Sequence, residues 1–218
     1  HAMGMILSFT RGLKKLASKQ KTKEWYPQIR AKSRELRGLT VGVVGFGSSG
    51  QQVAHRAAAF GMRILAVDVA DKIRPGYVER IGGPKDLDDT IAQSDVVVVT
   101  SPYTEKNRGL IGEMQFSVMK EDALLIGISR GGVIDENALL KALQAHRIEG
   151  AALDVFDDEP LPADHPLWDQ ENLIITPHSA GGTQYEVEGI NGIFKENLTK
   201  FLADDLPLRN QVDKERGW

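Results

Sequence analysis

Gly45-Phe46-Gly47-Ser48-Ser49-Gly50 follows directly on the apolar run Thr40–Val44 and opens a stretch with Val53, Ala57 and Phe60 at helical spacing. Glycines at these intervals occur by chance. Set between a strand and a helix, with an acid closing the next strand, they meet the requirements of a dinucleotide-binding turn. Asp68 is that acid, eighteen residues beyond Gly50. Gly45 permits the tight turn, Gly47 lets backbone approach a pyrophosphate, and Gly50 allows the helix to pack closely on the strand. The first amides of the helix, from Ser48, Ser49 and Gly50, face the phosphates with the positive end of the helix dipole behind them. A carboxylate at Asp68 accepts hydrogen bonds from the adenosine ribose. The expected cofactor is therefore NAD. The 2′-phosphate of NADP would meet a like charge there, and no arginine follows immediately, Arg74 being read as the nearest cation.

Beyond this turn the chain alternates. Short apolar runs at Thr40–Val44, Ile64–Asp68, Val96–Thr100, Ala123–Ile128, Ile148–Leu153 and Leu173–Thr176 are continuous, as expected for strands covered on both faces. Stretches of helical spacing lie between and after them, near 49–59, 86–93, 113–119, 135–145 and 184–203, and a weaker strand is expected near Tyr77–Ile81. This alternation predicts an α/β fold: a doubly wound parallel sheet of the Rossmann type. Ahead of it, residues 3–19 carry Met5, Ile6, Phe9, Leu13 and Leu16 on one helical face, followed by a polar connector with Pro27.

Ligands of such sheets sit beyond the carboxyl ends of the strands. Reading off those ends gives Arg130 after Ala123–Ile128, Asp154 after Ile148–Leu153, Glu159 five residues on, and His178 after Leu173–Thr176. A cation, a titratable imidazole and two carboxylates thus share an edge with the glycine turn. His55, His146 and His165 read as structural.

Composition removes whole classes of function. The 218 residues include no cysteine, which excludes disulfides, thiolate metal sites and thiol nucleophiles. The net charge of −3 gives no overall pull toward nucleic acid or membrane, and no apolar run is long enough to span a bilayer. A cytoplasmic location is the expectation. Ten of the 27 Lys and Arg fall within residues 1–37, beside only two acids, and read as a solvated helix face and linker.

Four strings taken together resemble the D-isomer-specific 2-hydroxyacid dehydrogenases. They are Gly45–Gly50 with Asp68, Ser129–Asp135, Leu153–Pro162 and Thr176–Thr183, in that order along nearly the whole chain. The resemblance implies an NAD-dependent oxidoreductase acting on small 2-hydroxy or 2-oxo acids such as glyoxylate, hydroxypyruvate or phosphoglycerate. It gives Arg130 the substrate carboxylate, His178 the acid/base role, Glu159 the part of its partner and Asp154 a contact to the nicotinamide amide. Homodimers are common in that family. Some of its relatives act as NAD-responsive corepressors, so an interaction module without turnover is the rival reading.

The chain departs from the family pattern in places. Ser48-Ser49 stands where Arg-Ile is usual, and Gly127-Ile128-Ser129 replaces the usual asparagine-containing lead into the arginine. The separate substrate-binding domain with which family members begin is not in this sequence, so the chain reads as a fragment, expected to bind NADH but to turn over little by itself. On that reading residues 1–37 are an interdomain-type helix and connector, 38–203 the dinucleotide-binding domain, and 204–218 a tail returning toward the substrate domain. Met5, Phe9 and Leu13 would then be exposed or re-paired.

Overall fold

β-branched and aliphatic runs covered on both faces form the sheet. Its strands are β1 (Thr40–Val44), β2 (Arg63–Val67), β3 (Arg80–Gly82), β4 (Val96–Val99), β5 (Leu124–Gly127), β6 (Gly150–Leu153) and β7 (Leu173–Ile175). All pairings are parallel, in the order β3-β2-β1-β4-β5-β6-β7. The computed structural model describes residues 1–214, and the described chain divides into one compact unit from His1 to Pro177 and another from His178 onward.

Alternate residues of a strand face opposite ways, so each strand feeds two cores. Val96 and Val98 join one cluster and Val97 and Val99 the other. The first face is covered by α1 (Ala2–Thr10) and α3 (Ser48–Ala59) through Met5, Ile6, Val53 and Ala57. The second is covered by α4 (Leu87–Gln93), α5 (Glu113–Val118) and α6 (Glu136–Gln144) through Ile91, Phe116, Leu139 and Leu143. Helices on both faces of a parallel sheet make the doubly wound fold expected from the alternation. The strand order changes direction between β1 and β4.

The amino-terminal segment differs from its sequence reading. The single helix over 3–19 is two, α1 and α2 (Leu13–Lys21), because Gly12 adopts a left-handed conformation with φ of 63°. The surface expected along this segment is largely spent on the chain's own sheet. Met5 and Ile6 are buried, and the Phe9 ring lies where Gly150 leaves room for it. Only Leu13, beyond the break, is exposed.

The other end differs too. The helix near 184–203 is α7 (Glu186–Leu202), and it belongs to the second unit instead of the sheet unit. Of the expected tail, Asn197 holds Arg209 through both its backbone N–H and its carbonyl, at 2.8 and 2.9 Å. Its last four residues lie outside the described residues. The weak strand near Tyr77–Ile81 is realised slightly later, as β3.

Candidate active site

Strand register aligns the site. Val67, Val44, Val99, Gly127, Leu153 and Ile175 are paired in one row across β2, β1, β4, β5, β6 and β7. The next residues in each strand, Asp68, Gly45, Thr100, Ile128, Asp154 and Thr176, step onto the same carboxyl edge.

Gly45 has φ of 91°, and a Cβ there would lie 2.6 Å from the backbone nitrogen of Ser101. Gly50 is tighter still, since its Cβ would be driven into the carbonyl oxygen of Gly45. A Cβ on Gly47, in contrast, would meet nothing within 4 Å, and no side chain caps the start of α3. The backbone at the turn is thus pinned on its inner side and open on its outer side, with exposed Ser48 and Ser49 hydroxyls beside it. Thr100 supports it, its hydroxyl donating to Gly45 O at 2.6 Å. The Asp68 carboxylate accepts from the N–H groups of Phe46 at 2.7 Å and Ala70 at 2.8 Å, which holds it at the lip of the turn. These features fit a dinucleotide: an uncapped helix start, a glycine with no neighbour on its open face, and a fixed carboxylate. Lys72 Nζ lies 3.7 Å from Asp68 Oδ1, a cation that sequence reading passed over in favour of Arg74. Arg74 itself turns to the carbonyl of Val78.

At the other half of the edge, Arg130 is exposed and its guanidinium donates to Ser129 O at 2.7 Å. Two glycines after it allow the β5 and β6 segments to meet. Gly131 presses against the carbonyl of Phe156, and Gly132, at φ 81°, donates its N–H to Asp157 Oδ1 at 2.6 Å. Glu159 Oε1 accepts from the Phe156 N–H at 2.9 Å. The segments carrying Arg130 and Glu159 are therefore in direct contact. Asp154 is fully buried and accepts a short hydrogen bond from the Thr176 hydroxyl, with His1 Nε2 3.5 Å from its Oδ1. His178 is the first residue of the second unit, with a left-handed φ of 50° that side-chain-bearing residues seldom adopt.

Asp157, Glu136 and Thr176 had no signal that singled them out. Asp157 is one of several acids in an acidic loop, and the other two matter only through partners distant in sequence. His165, set aside as structural, lies 3.5 Å from Glu136. Among the described residues no cluster of His, Asp and Glu could hold a metal, and no helix is long and apolar enough to cross a membrane.

Residues 3–180 match the model of the NAD binding domain of D-isomer specific 2-hydroxyacid dehydrogenases. The chain belongs to that family. It is 37% identical over 210 residues to a D-3-phosphoglycerate dehydrogenase of Methanocaldococcus jannaschii, covering 94% of this chain and 38% of that one. A glyoxylate reductase of Aeropyrum pernix is 37% identical over 193 residues, with 88% and 56% covered. The chain thus spans roughly two fifths to three fifths of these family members. Among solved structures, a D-isomer specific 2-hydroxyacid dehydrogenase from Xanthobacter autotrophicus in complex with NADPH and MES superposes with a TM-score of 0.88 at 31% identity. That likeness covers 99% of this chain and 86% of the other.

Proposed function

We propose that the protein carrying this chain interconverts small 2-hydroxy and 2-oxo acids with NAD(H). One observation carries the reading: the glycine turn with Asp68 and the Arg130 and Glu159 segments stand along a single carboxyl edge of one parallel sheet. Gly45, Gly47, Ser48, Ser49 and Gly50 are assigned to the pyrophosphate, Asp68 to the ribose and Asp154 to the nicotinamide amide. NAD(H) held by these residues supplies or accepts the hydride.

Arg130 grips the substrate carboxylate, because a guanidinium presents two parallel donors matched to a planar carboxylate. During reduction, negative charge grows on the carbonyl oxygen, and a preorganised cation lowers its energy. His178 delivers the proton to that oxygen, and a carboxylate at Glu159 serves as its partner. Glyoxylate and phosphoglycerate, which the names of the relatives print, and hydroxypyruvate beside them are the substrate class.

A cytoplasmic homodimer completes the proposal. Val187, Ile190, Phe194 and Phe201 are exposed on α7, apolar surface of the kind a second copy covers. Sedimentation should report twice the chain's mass.

The catalytic reading is tested by steady-state turnover with NADH and a panel of 2-oxo acids. The whole protein carrying this chain should reduce at least one, whereas residues 1–218 alone should bind NADH with little turnover, and Arg130→Ala in the whole protein should lower kcat/KM by about a hundredfold or more. Tight NADH binding by the whole protein without turnover on any acid would favour the NAD-responsive interaction module instead.

A further inference from the structure

Arg130 and Glu159 are twenty-nine residues apart and exposed, yet the segments that carry them are joined by a short series of hydrogen bonds. Gly132 N–H donates to Asp157 Oδ1 at 2.6 Å. Asp157 N–H donates in turn to Glu136 Oε1 at 2.7 Å. The other oxygen of Glu136 lies 3.5 Å from His165 Nε2. His165 Nδ1 accepts the N–H of buried Leu167 at 3.4 Å, which leaves the ring proton on Nε2, toward Glu136.

Glu136 is poorly suited to such a place unless the contacts are needed. It opens α6, yet its side chain is 12% exposed, turned back from solvent toward the β6 loop. Burial pushes its carboxyl above the ordinary Glu range, while the Asp157 N–H pulls the other way. The cap of α6 does not require it, since Asp135 already accepts the Ala138 N–H at 3.0 Å. What Glu136 does hold is Asp157, and Asp157 holds the turn two residues after Arg130.

We infer that Glu136 is a positioning residue, fixing the Arg130 turn against the Glu159 loop through Asp157. The inference rests on the reading that Arg130 and Glu159 handle the acid substrate. Glu136 bonds to Asp157 and pairs with His165, whereas Asp68 and the glycine turn bond to Phe46, Ala70 and Thr100, so its effect should fall on the acid alone. Small displacements of positioning groups can cost up to about a hundredfold in rate.

The experiment compares Glu136→Ala, Glu136→Gln and His165→Ala with wild type by amide hydrogen exchange, NADH titration and steady-state glyoxylate reduction. In Glu136→Ala the Gly132 amide, which Glu136 does not touch, should exchange about tenfold faster or more. KM for glyoxylate should rise about tenfold while NADH affinity stays within about twofold. Glu136→Gln keeps an acceptor for Asp157 N–H and should restore most of both. His165→Ala should move the same readouts by less, and it keeps the test alive should the alanine variant fail to fold. Unchanged Gly132 exchange, a glutamine variant as impaired as alanine, or NADH affinity falling in step with glyoxylate would each overturn the inference. Wild-type protein that reduces no 2-oxo acid would count against the proposed function alone, and Gly132 exchange would then decide the positioning role.

Discussion

The two halves of the sheet edge reach order by different means. On the β1–β2 side, the turn is shaped by what glycines lack: φ of 91° at Gly45 and no room for a Cβ at Gly50. Asp68, with two backbone hydrogen bonds, and the Thr100 hydroxyl, with one, finish it. On the β5–β6 side, glycines again let segments meet, but the spacing is then held by carboxylates, Asp157, Glu136 and Glu159. A turn built on sterics takes its shape from its own glycines, with the backbone of Ser101 limiting it from beyond β4. A turn built on side-chain hydrogen bonds depends on partners brought from other strands.

The sharpest way to break this contrast is to add one methyl group on each side. Gly50→Ala drives a Cβ into the Gly45 carbonyl, and Gly131→Ala drives one into the Phe156 carbonyl. Overpacking against backbone should cost about 3 kcal/mol in each case, read by urea denaturation. The functional losses should separate: Gly50→Ala loses NADH binding, whereas folded Gly131→Ala keeps it and loses the 2-oxo acid. Equal loss of NADH affinity in both would mean the halves are not independent.

Cofactor choice comes next in size. With Asp68 assigned to the ribose, a 2′-phosphate would meet its carboxylate, and wild type should prefer NADH over NADPH by about tenfold to a hundredfold, or roughly 1–3 kcal/mol. Asp68→Asn should narrow that ratio. Lys72, 3.7 Å from Asp68, works against the preference, and Lys72→Ala should widen it. The relative crystallised with NADPH makes the titration decisive. Equal or tighter binding of NADPH by wild type would remove Asp68 from its assigned role.

The smallest effect concerns acid. On the β2–β3 side the Arg63 guanidinium forks onto Glu79 at 2.6 Å and holds that exposed carboxyl below its ordinary value of 4.5. On the other side burial holds Glu136 above 4.5. A lowered pKa contributes stability that is present above 4.5 and lost as pH falls through the lowered value. A raised one does the reverse: the folded state binds the proton first, so the contribution is present below 4.5 and lost as pH rises through the raised value. Urea midpoints followed against pH should therefore flatten below 4.5 in Glu79→Gln and above 4.5 in Glu136→Gln. Identical pH profiles for the two variants would erase the distinction.

Much of the molecule was legible before any coordinates. The strand at Thr40–Val44 emerged with the same bounds, and five further runs and five helices lie within a few residues of their periodic signals. Those signals are local: a continuous apolar run can be covered on both faces only inside a parallel sheet, and a glycine turn between strand and helix leaves little choice of ligand. The strand-end rule likewise placed Arg130 beyond β5 and Asp154 beyond β6, because strands of known direction deliver the residues that follow them to one edge.

What periodicity could not supply was the partner of each exposed or buried face. Residues 3–19 carry one greasy stripe, and the stripe alone does not say whether it covers the chain's own sheet or another domain. Gly12 breaks the helix, Met5 and Ile6 enter the core, and only Leu13 is left exposed. Helix α7 reads as a helix from sequence but falls in the second unit. Glu136, Asp157 and His165 are ordinary polar residues until the fold brings them within 2.6 to 3.5 Å of one another and of Gly132. Sequence by itself determined the elements, their order and the dinucleotide turn, since each is written in residues close along the chain. Only the tertiary structure decided which carboxylates hold the β5 and β6 end of the edge together, because a hydrogen bond between segments exists only once the sheet has set their register.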